Sequence, residues 1–276
     1  MRLQHFSLKS NKIMQERHRN RKQYFKELAY TSEHYYIPYI KQYHDLKQGS
    51  YILEVGCGEG GNLLPFSKMG CFVTGVDIAR SRIEEAKLFF KQHNALGTFI
   101  AEDVFKLRGI ESKFDVIICH DVLEHIYNKL SFLITISKYL REDGILFMSF
   151  PAWLMPFGGH QQICRNRICS HMPFIHYLPT HLYKNVLKLF NEDDGCIKEL
   201  LSIKQTRVSV ENFEKIVRKH TKLHICDKQL YLVNPHYKIK FGLNPIKLPI
   251  VISYIPFVRN FFSTSCFYIL SVKHSD

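Results

Sequence analysis

The sequence predicts an α/β fold, a mostly parallel sheet with helices on both faces. Two observations carry the prediction. Between Tyr51 and Phe150, short continuous apolar runs alternate with amphipathic segments, and a strand buried on both faces reads as an unbroken apolar run. The first of these runs stops at a glycine-rich turn, Gly56-Cys57-Gly58-Glu59-Gly60-Gly61. The length of 276 residues suits one large domain or a domain carrying a substantial insertion.

Taken in order, residues 1–48 form an N-terminal helical segment with aromatics at Tyr24, Phe25, Tyr35, Tyr36, Tyr39 and Tyr43, and Pro38 predicts two helices rather than one. Residues 49–151 carry the alternation. Tyr51–Val55 is a strand, Asn62–Met69 a helix, and Phe72–Val76 a strand closed by Asp77. Ser81–His93 is an amphipathic helix, with Ser81 as its N-cap and acids in its first turn. Thr98–Ala101 is a short strand running toward Asp103, and Phe114–Cys119 is a buried strand. Leu130–Leu140 is a helix, and Asp143–Gly144 turns the chain into the strand Ile145–Phe150. After Pro151 the alternation stops. Residues 152–205 form a lid insertion, irregular over 151–185 and rich in His, Cys, Pro and aromatics. In 206–276, Asn212–Lys219 is helical, Leu223–Leu232 and Phe261–Val272 are strands, and the proline-bearing Asn234–Arg259 is a second irregular excursion.

Hydrophobic residues at 46% and charged residues at 23% leave enough apolar surface for a globular core, so disorder is not the default expectation. Lys and Arg outnumber Asp and Glu by 38 to 25, a formal charge of +13, which favours anionic partners or simply gives a solvated basic surface. Met14–Lys26 concentrates five Lys or Arg against one acid and reads as a basic helix or a solvated face. The eight cysteines show no CxxC, and Cys57, Cys71 and Cys119 fall in or beside strands. Buried thiols of this kind point to a reducing, cytoplasmic setting. No cationic start precedes an apolar run, so no secretory signal is expected. The longest nearly uncharged run, Leu248–Val258, is shorter than the about 20 residues a spanning helix needs.

Glycines let the backbone turn with positive φ and approach a ligand closely. A turn of this kind alone allows any nucleotide, a nicotinamide dinucleotide included. Glu54, two residues before the first glycine, disfavours a phosphate and suits a cation such as the amino group of an amino acid. Asp77 at the end of the second strand can accept from both ribose hydroxyls, and Asp103 with Val104 can hold an adenine amino group. In ILEVGCGEG, GVDIA, AEDVF, FDVIICHDVLEHI and LREDGILFMSFP, in that order over residues 50–151, the chain resembles the class I S-adenosylmethionine-dependent methyltransferases. The resemblance implies a Rossmann-like seven-stranded methyltransferase sheet with an antiparallel edge. It also implies S-adenosyl-L-methionine as cofactor, in a pocket lined by Glu54, Gly56, Cys57, Gly58, Gly60, Asn62, Asp77, Ile78, Asp103, Val104 and His120. The alternatives are a nicotinamide-type domain or an inactive relative.

Methyl transfer to a hydroxyl requires positioning the acceptor and removing its proton. Asp121, Glu124 and His125 are spaced to share one face of a helical turn, and His160 lies in the lid. Together these four could hold a divalent cation that lowers the pKa of a hydroxyl. Equally, His160 could act as a general base oriented by Glu124 or Asp121, or Glu124-His125 could merely shape the pocket. The acid-x-x-Glu-His pattern with a later His resembles ubiquinone-biosynthesis O-methyltransferases and small-RNA 2′-O-methyltransferases, and Asp rather than Glu at 121 departs from both. Cys164, Cys169, His171, His176 and His181 form a second cluster whose spacing fits no familiar zinc knuckle; Trp153, Phe157, Phe174 and Tyr177 read as apolar walls of a substrate lid.

Three acceptor settings follow. The aromatic, His-bearing lid favours a small hydroxylated aromatic, quinone-like or sugar acceptor. The basic charge and the acid-x-x-Glu-His pattern favour RNA, although no RNA-binding module is visible. Lys247–Phe262, apolar with cationic ends, favours contact with a membrane surface, either by an enzyme or by a non-catalytic protein built on this fold.

Overall fold

A computed structural model describes residues 20–110 and 113–272. The first part of the basic stretch, residues 14–19, therefore lies outside the described residues. Helix α1 (Arg21–Thr31), whose N-cap Asn20 accepts from the Gln23 N–H, runs through a π turn (Ser32–Tyr36) directly into α2 (Ile37–Ile40). The break expected at Pro38 is absent. Pro38 sits in the first turn of α2, and the wider π turn ahead of it absorbs the missing donor.

The sheet consists of β1 (Tyr51–Val55), β2 (Phe72–Asp77), β3 (Thr98–Ala101), β4 (Phe114–His120), β5 (Leu140–Phe150), β6 (Leu223–Val233), β7 (Ile246–Lys247) and β8 (Ser265–Val272), in the order β3-β2-β1-β4-β5-β8-β6-β7. The first five strands are parallel. Strand β8 lies antiparallel between β5 and β6, with Phe147 opposite Ile269 and Gln229 opposite Phe267. The two-residue β7 adds an eighth strand to the seven expected. Asp143 and Gly144 do not form a turn. They lie inside the 11-residue β5, where the register against β4 shifts between Phe114 and Val116.

Period-2 alternation sends Leu53 and Val55 to one face of the sheet, with Ile117, Leu146, Phe150 and Tyr268. Ile52, Val73, Val116, Ile118, Phe147 and Phe267 face the other, where they meet Tyr36 and Ile40 from the N-terminal run. Helices α3 (Leu64–Lys68), α4 (Arg80–Gln92), α5 (Lys129–Ser137) and α9 (Val210–His220) cover these faces. Two details of α4 differ from expectation: its N-cap is Ala79 without a side-chain bond, and no acid lies in its first turn. Asp77 takes over the capping task, its Oδ1 accepting from the Ala79 N–H at 2.8 Å. Helix α5 stops at Ser137 because Leu140 already belongs to β5.

The lid is more regular than its composition suggests. Helices α6 (Arg167–His171), α7 (Thr180–Leu189) and α8 (Asp194–Thr206) close around a small core of Cys164, Cys169, Ile175, Tyr183, Leu187, Ile197 and Leu200. Between β6 and β8 the chain forms α10 (His236–Phe241), α11 (Ile250–Ser253) and α12 (Val258–Phe262), so the final strand begins at Ser265 rather than Phe261. Among the described residues no helix is long and apolar enough to cross a membrane.

Candidate active site

The parallel strands β1 to β4 end along one rim, and the order reverses between β1 and β4, the place where open α/β sheets form a crevice. The glycine turn begins there. Gly56 has φ +73°, and a Cβ on it would lie 2.2 Å from Val122 Cγ2, so only glycine fits between β1 and the loop after β4. The Gly58 N–H donates to Asp77 Oδ2 at 2.9 Å, joining this turn to the end of β2. A cavity of about 450 Å³ opens beside it, lined among others by Gly56, Asp77, Ile78, Asp103, Val104 and Phe105. Five of the expected cofactor residues therefore share one wall system. Carboxylates at Asp77 and Asp103 with the apolar Ile78, Val104 and Phe105 form surroundings suited to a nucleoside. Each Asp77 oxygen holds one backbone N–H and keeps acceptor capacity for a ribose hydroxyl.

Glu54, Asn62 and His120 lie deeper, outside that cavity wall. Glu54 is 1% exposed; its Oε1 accepts from Asn62 Nδ2 at 2.7 Å. Among the described residues, Glu54 Oε2, Asn62 Oδ1 and the buried Tyr36 hydroxyl have no hydrogen-bond partner. Burial pushes the Glu54 carboxyl up to about 8, opposed by the Asn62 hydrogen bond. Orphaned acceptors beside a buried acid match the three N–H donors of an ammonium group, so the site fits the amino-acid half of S-adenosylmethionine as Asp77 and Asp103 fit its nucleoside half. The His120 ring packs at 5.4 Å from that of Tyr36, and its Nε2 lies 3.5 Å from Asp121 Oδ2. Cys57 differs from the rest: its side chain is buried in the core with Sγ turned to its own turn, so only its backbone follows the ligand side. Glu59 clamps the N-terminal helix over the turn, with Oε1 2.5 Å from Arg21 Nη1.

Asp121, Glu124 and His125 do not share a helical face. The loop after β4 turns sharply at Asp121, φ +51°, and makes only a 3-10 turn at Leu123–His125. Glu124 points inward and is 3% exposed, whereas His125 lines the 450 Å³ cavity. His160, itself in the left-handed region at φ +59°, descends from the lid. Its Nε2 lies 3.8 Å from Glu124 Oε1, and its ring meets that of His125 edge to face at 5.6 Å. Neither Glu124 oxygen has a hydrogen-bond partner among the described residues. Burial, reinforced by Asp121, holds the Glu124 carboxyl well above the usual carboxylate range, and burial lowers His125. Asp121, Glu124, His125 and His160 do not come together as a ligand set. Among the described residues, the group whose three donor atoms lie within 4.8 Å of one another is Cys164, Glu192 and Cys196.

The Cys/His cluster read from the lid sequence is dispersed. Cys164 and Cys169 are in the lid core, His171 bonds back to Ser170, and His181 is exposed on α7. His176 is buried; its Nε2 is 3.0 Å from the Trp153 carbonyl oxygen, its ring is 4.5 Å from the indole, and burial pushes it down to about 4. Trp153 is thus packed against the lid as a wall, with Tyr177 donating to the Leu154 carbonyl at 2.5 Å and the Phe174 ring tilted against Tyr177 at 5.4 Å. Three residues to which the sequence assigns no site role support the site: Tyr36 near Glu54, and the pair Lys129 and Thr206 near Glu124. Lys129 Nζ donates to the carbonyls of Ile126 and Thr206, and the Thr206 hydroxyl donates to the Glu124 carbonyl, which fastens the Glu124 turn to the end of α8. Burial pushes the Lys129 ammonium down to about 8.

Residues 17–191 match the family described as "Methyltransferase domain". The chain is 32% identical over 144 residues to a ubiquinone biosynthesis O-methyltransferase of Bartonella quintana (strain Toulouse), covering 50% of this chain and 54% of that protein. It is 31% identical over 132 residues to a protein of the same name from Coxiella burnetii, covering 46% and 56%. The chain thus spans about half the length of the curated relatives it matches. Among solved structures, the magnesium protoporphyrin IX methyltransferase (ChlM) of Synechocystis PCC 6803 with bound SAH superposes with a TM-score of 0.51 at 16% identity, covering 86% of this chain and 80% of that one. The plantazolicin methyltransferase BpumL, in complex with a triazolic desmethylPZN analog and SAH, gives 0.56 at 14% identity, covering 95% and 90%. At these identities the superpositions speak for the fold.

Proposed function

Since the chain belongs to the class I S-adenosylmethionine-dependent methyltransferases, we propose that it methylates a hydroxyl group on a small aromatic, quinone-like acceptor, with His160 removing the proton. The observation that carries this reading is the triplet Glu124, His160 and His125, with Oε1–Nε2 at 3.8 Å and the imidazoles at 5.6 Å, on the rim where the glycine turn ends. When bound, S-adenosylmethionine supplies an electrophilic methyl group on a sulfonium. This chain's own residues would then do three things. Glu54, Asn62 and Tyr36 hold the ammonium end. Asp77 and Asp103, with Ile78 and Phe105, hold the nucleoside. His160 takes the acceptor's proton, while the buried Glu124 orients the ring and stabilises the imidazolium. The names of the relatives, ubiquinone biosynthesis O-methyltransferases, agree with a phenolic acceptor.

A second observation supports collecting the acceptor at a lipid surface. The α11–α12 segment turns its apolar side chains outward: Ile250 is 70% exposed, Tyr254 73% and Phe257 65%. Its polar side is rooted inward instead. Arg259 Nε and Asn260 Nδ2 both donate to Glu211, at 2.8 and 2.6 Å, and Asn260 accepts from the Val210 N–H. Lys240 and Lys247 flank the patch, and Phe261 reaches the lid ring of Phe174 at 6.5 Å. An apolar surface with cationic ends beside a lid fits an anionic membrane interface.

Calorimetric titration with S-adenosylhomocysteine, followed by mass spectrometry of catechol-type acceptors incubated with S-adenosylmethionine, tests the proposal. Saturable binding and a product one methyl group heavier are expected. Absence of binding heat would remove the enzymatic reading, and methylation on nitrogen or carbon alone would remove the hydroxyl.

A further inference from the structure

The lid core contains a ligand set unrelated to the acceptor site. Cys164 follows the 3-10 turn Gln161–Ile163, Glu192 follows α7, and Cys196 lies in the first turn of α8. One Sγ from each cysteine and one Glu192 oxygen lie within 4.8 Å of one another; Cys164 and Glu192 are buried and Cys196 is partly exposed. In zinc sites, bonds of about 2.3 Å to sulfur and about 2.0–2.2 Å to oxygen place tetrahedral donors roughly 3.5–3.8 Å apart. The three donors therefore need only a small closing movement.

Two further features are those of a built site. The Glu192 carboxylate is already oriented: Oε2 accepts from the Arg165 N–H at 3.0 Å and Oε1 from the Asn166 N–H at 2.7 Å, and each oxygen keeps a lone pair. Cys196 is held by its N–H donating to Asp193 Oδ1 at 2.9 Å. Such outer bonds fix the direction of metal ligands. Independently, the Tyr183 hydroxyl is fully buried in this core without a hydrogen-bond partner among the described residues, and the titratable groups that act on it electrostatically are Cys164, Cys196, Cys169 and Glu192. A buried hydroxyl in this core lacks a hydrogen-bond partner that would satisfy it.

We propose that Cys164, Cys196 and Glu192 bind a thiophilic divalent cation, with zinc as the best match, and that a water molecule in the fourth position hydrogen-bonds to the Tyr183 hydroxyl. Two thiolates and a carboxylate suit zinc in both softness and coordination number. Binding releases the two thiol protons to solvent and involves no oxidation. The cation ties three segments of the lid together, and the segment carrying Cys164 begins at His160. The site therefore fixes the mount from which His160 descends, without touching the acceptor.

The test uses the full chain purified without chelator, loaded with zinc, desalted and measured by inductively coupled plasma mass spectrometry. One zinc per chain is expected, and cobalt in its place should give a thiolate-to-cobalt charge-transfer band. Cys196→Ser, at the partly exposed position, and Glu192→Gln should lose the metal while remaining folded by circular dichroism. Tyr183→Phe should retain it with affinity weakened about 10–100-fold, the range for lost outer bonds. Zinc should raise the unfolding temperature of the parent protein and leave that of Cys196→Ser unchanged. No retained zinc, zinc retained equally by Cys196→Ser and Glu192→Gln, or an intact mass two hydrogens light from a Cys164–Cys196 disulfide would each overturn the proposal.

Discussion

Glu124 and His160 reach each other from opposite sides of the active-site rim, one buried beneath the loop after β4 and the other hanging from the lid, with 3.8 Å between Oε1 and Nε2. Burial, reinforced by Asp121, raises the Glu124 carboxyl well above its ordinary range, and an imidazolium beside it would favour the charged carboxylate. His160→Ala should lower kcat about 10²–10⁴-fold, the contribution of a general base. Glu124→Gln should cost on the order of tenfold, equivalent to one unit of lost pKa support. Neither substitution should change the affinity for S-adenosylhomocysteine. Parent-like turnover in His160→Ala would assign the proton elsewhere.

The Glu54 carboxyl provides a pH test of the cofactor site. Its pKa of about 8 in the empty protein means that it is protonated at pH 7, whereas in the unfolded chain it is ionised. The unfolded state thus binds fewer protons, and this group's contribution to stability falls as pH rises from 4.5 to 8. An ammonium ligand reverses the preference and drives the proton off. Cofactor affinity should rise from pH 6 to about 8, and titrations in buffers of different ionisation heat should show roughly one proton released per ligand below that pH. Glu54→Gln should abolish both effects. A proton count of zero in the parent protein would place the ammonium elsewhere.

Trp153, the chain's single tryptophan, reports on its contact with His176, 4.5 Å away. His176 is depressed from 6.5 to about 4, so the unfolded chain takes up a proton that the folded one refuses between those values. Its contribution to stability is complete above 6.5 and is lost as pH falls toward 4. Trp153 emission should stay constant from pH 8 to 6 and change with a midpoint near 4. The change should be absent in His176→Gln. A transition at ordinary histidine pH would show that the ring is solvated.

For the outward-facing segment, Ile250→Asp and Ile255→Asp should each reduce sedimentation with anionic phospholipid vesicles, and the double substitution should remove it. The unfolding temperature should shift little, because both side chains are substantially exposed. Equal sedimentation of parent and double variant would exclude this surface.

The part of the site built on local pattern was legible in the sequence. The glycine turn, Asp77 and Asp103 are placed by strand ends, and strand ends follow from runs of apolar residues. The lid was less legible, because its order comes from a small tertiary core. Tyr183 and Leu187 pack against Ile197 and Leu200, and no segment among them is long enough to show a period in sequence. The same holds for the functional pairs. Glu54 with Tyr36, Glu124 with Thr206, and Cys164 with Cys196 come from separate elements, so spacing along the chain carries no trace of them. The spacing of Asp121, Glu124 and His125 was misleading for a related reason: the positive φ at Asp121 and a 3-10 turn replaced the helix that would have aligned them.

The position of β8 has a consequence for how the protein is made. The strands that carry the cofactor pocket leave the ribosome first, yet the free edge of β5 is covered only by a strand that emerges more than a hundred residues later, from Ser265 onward. Until then the nascent chain presents an unpaired row of amides along Ile145–Phe150, a segment open to intermolecular pairing. The polypeptide therefore has to be guarded during synthesis. A premature stop before Ser265 is expected to give an aggregating fragment rather than a smaller working enzyme, even though every residue of the cofactor pocket is present in it.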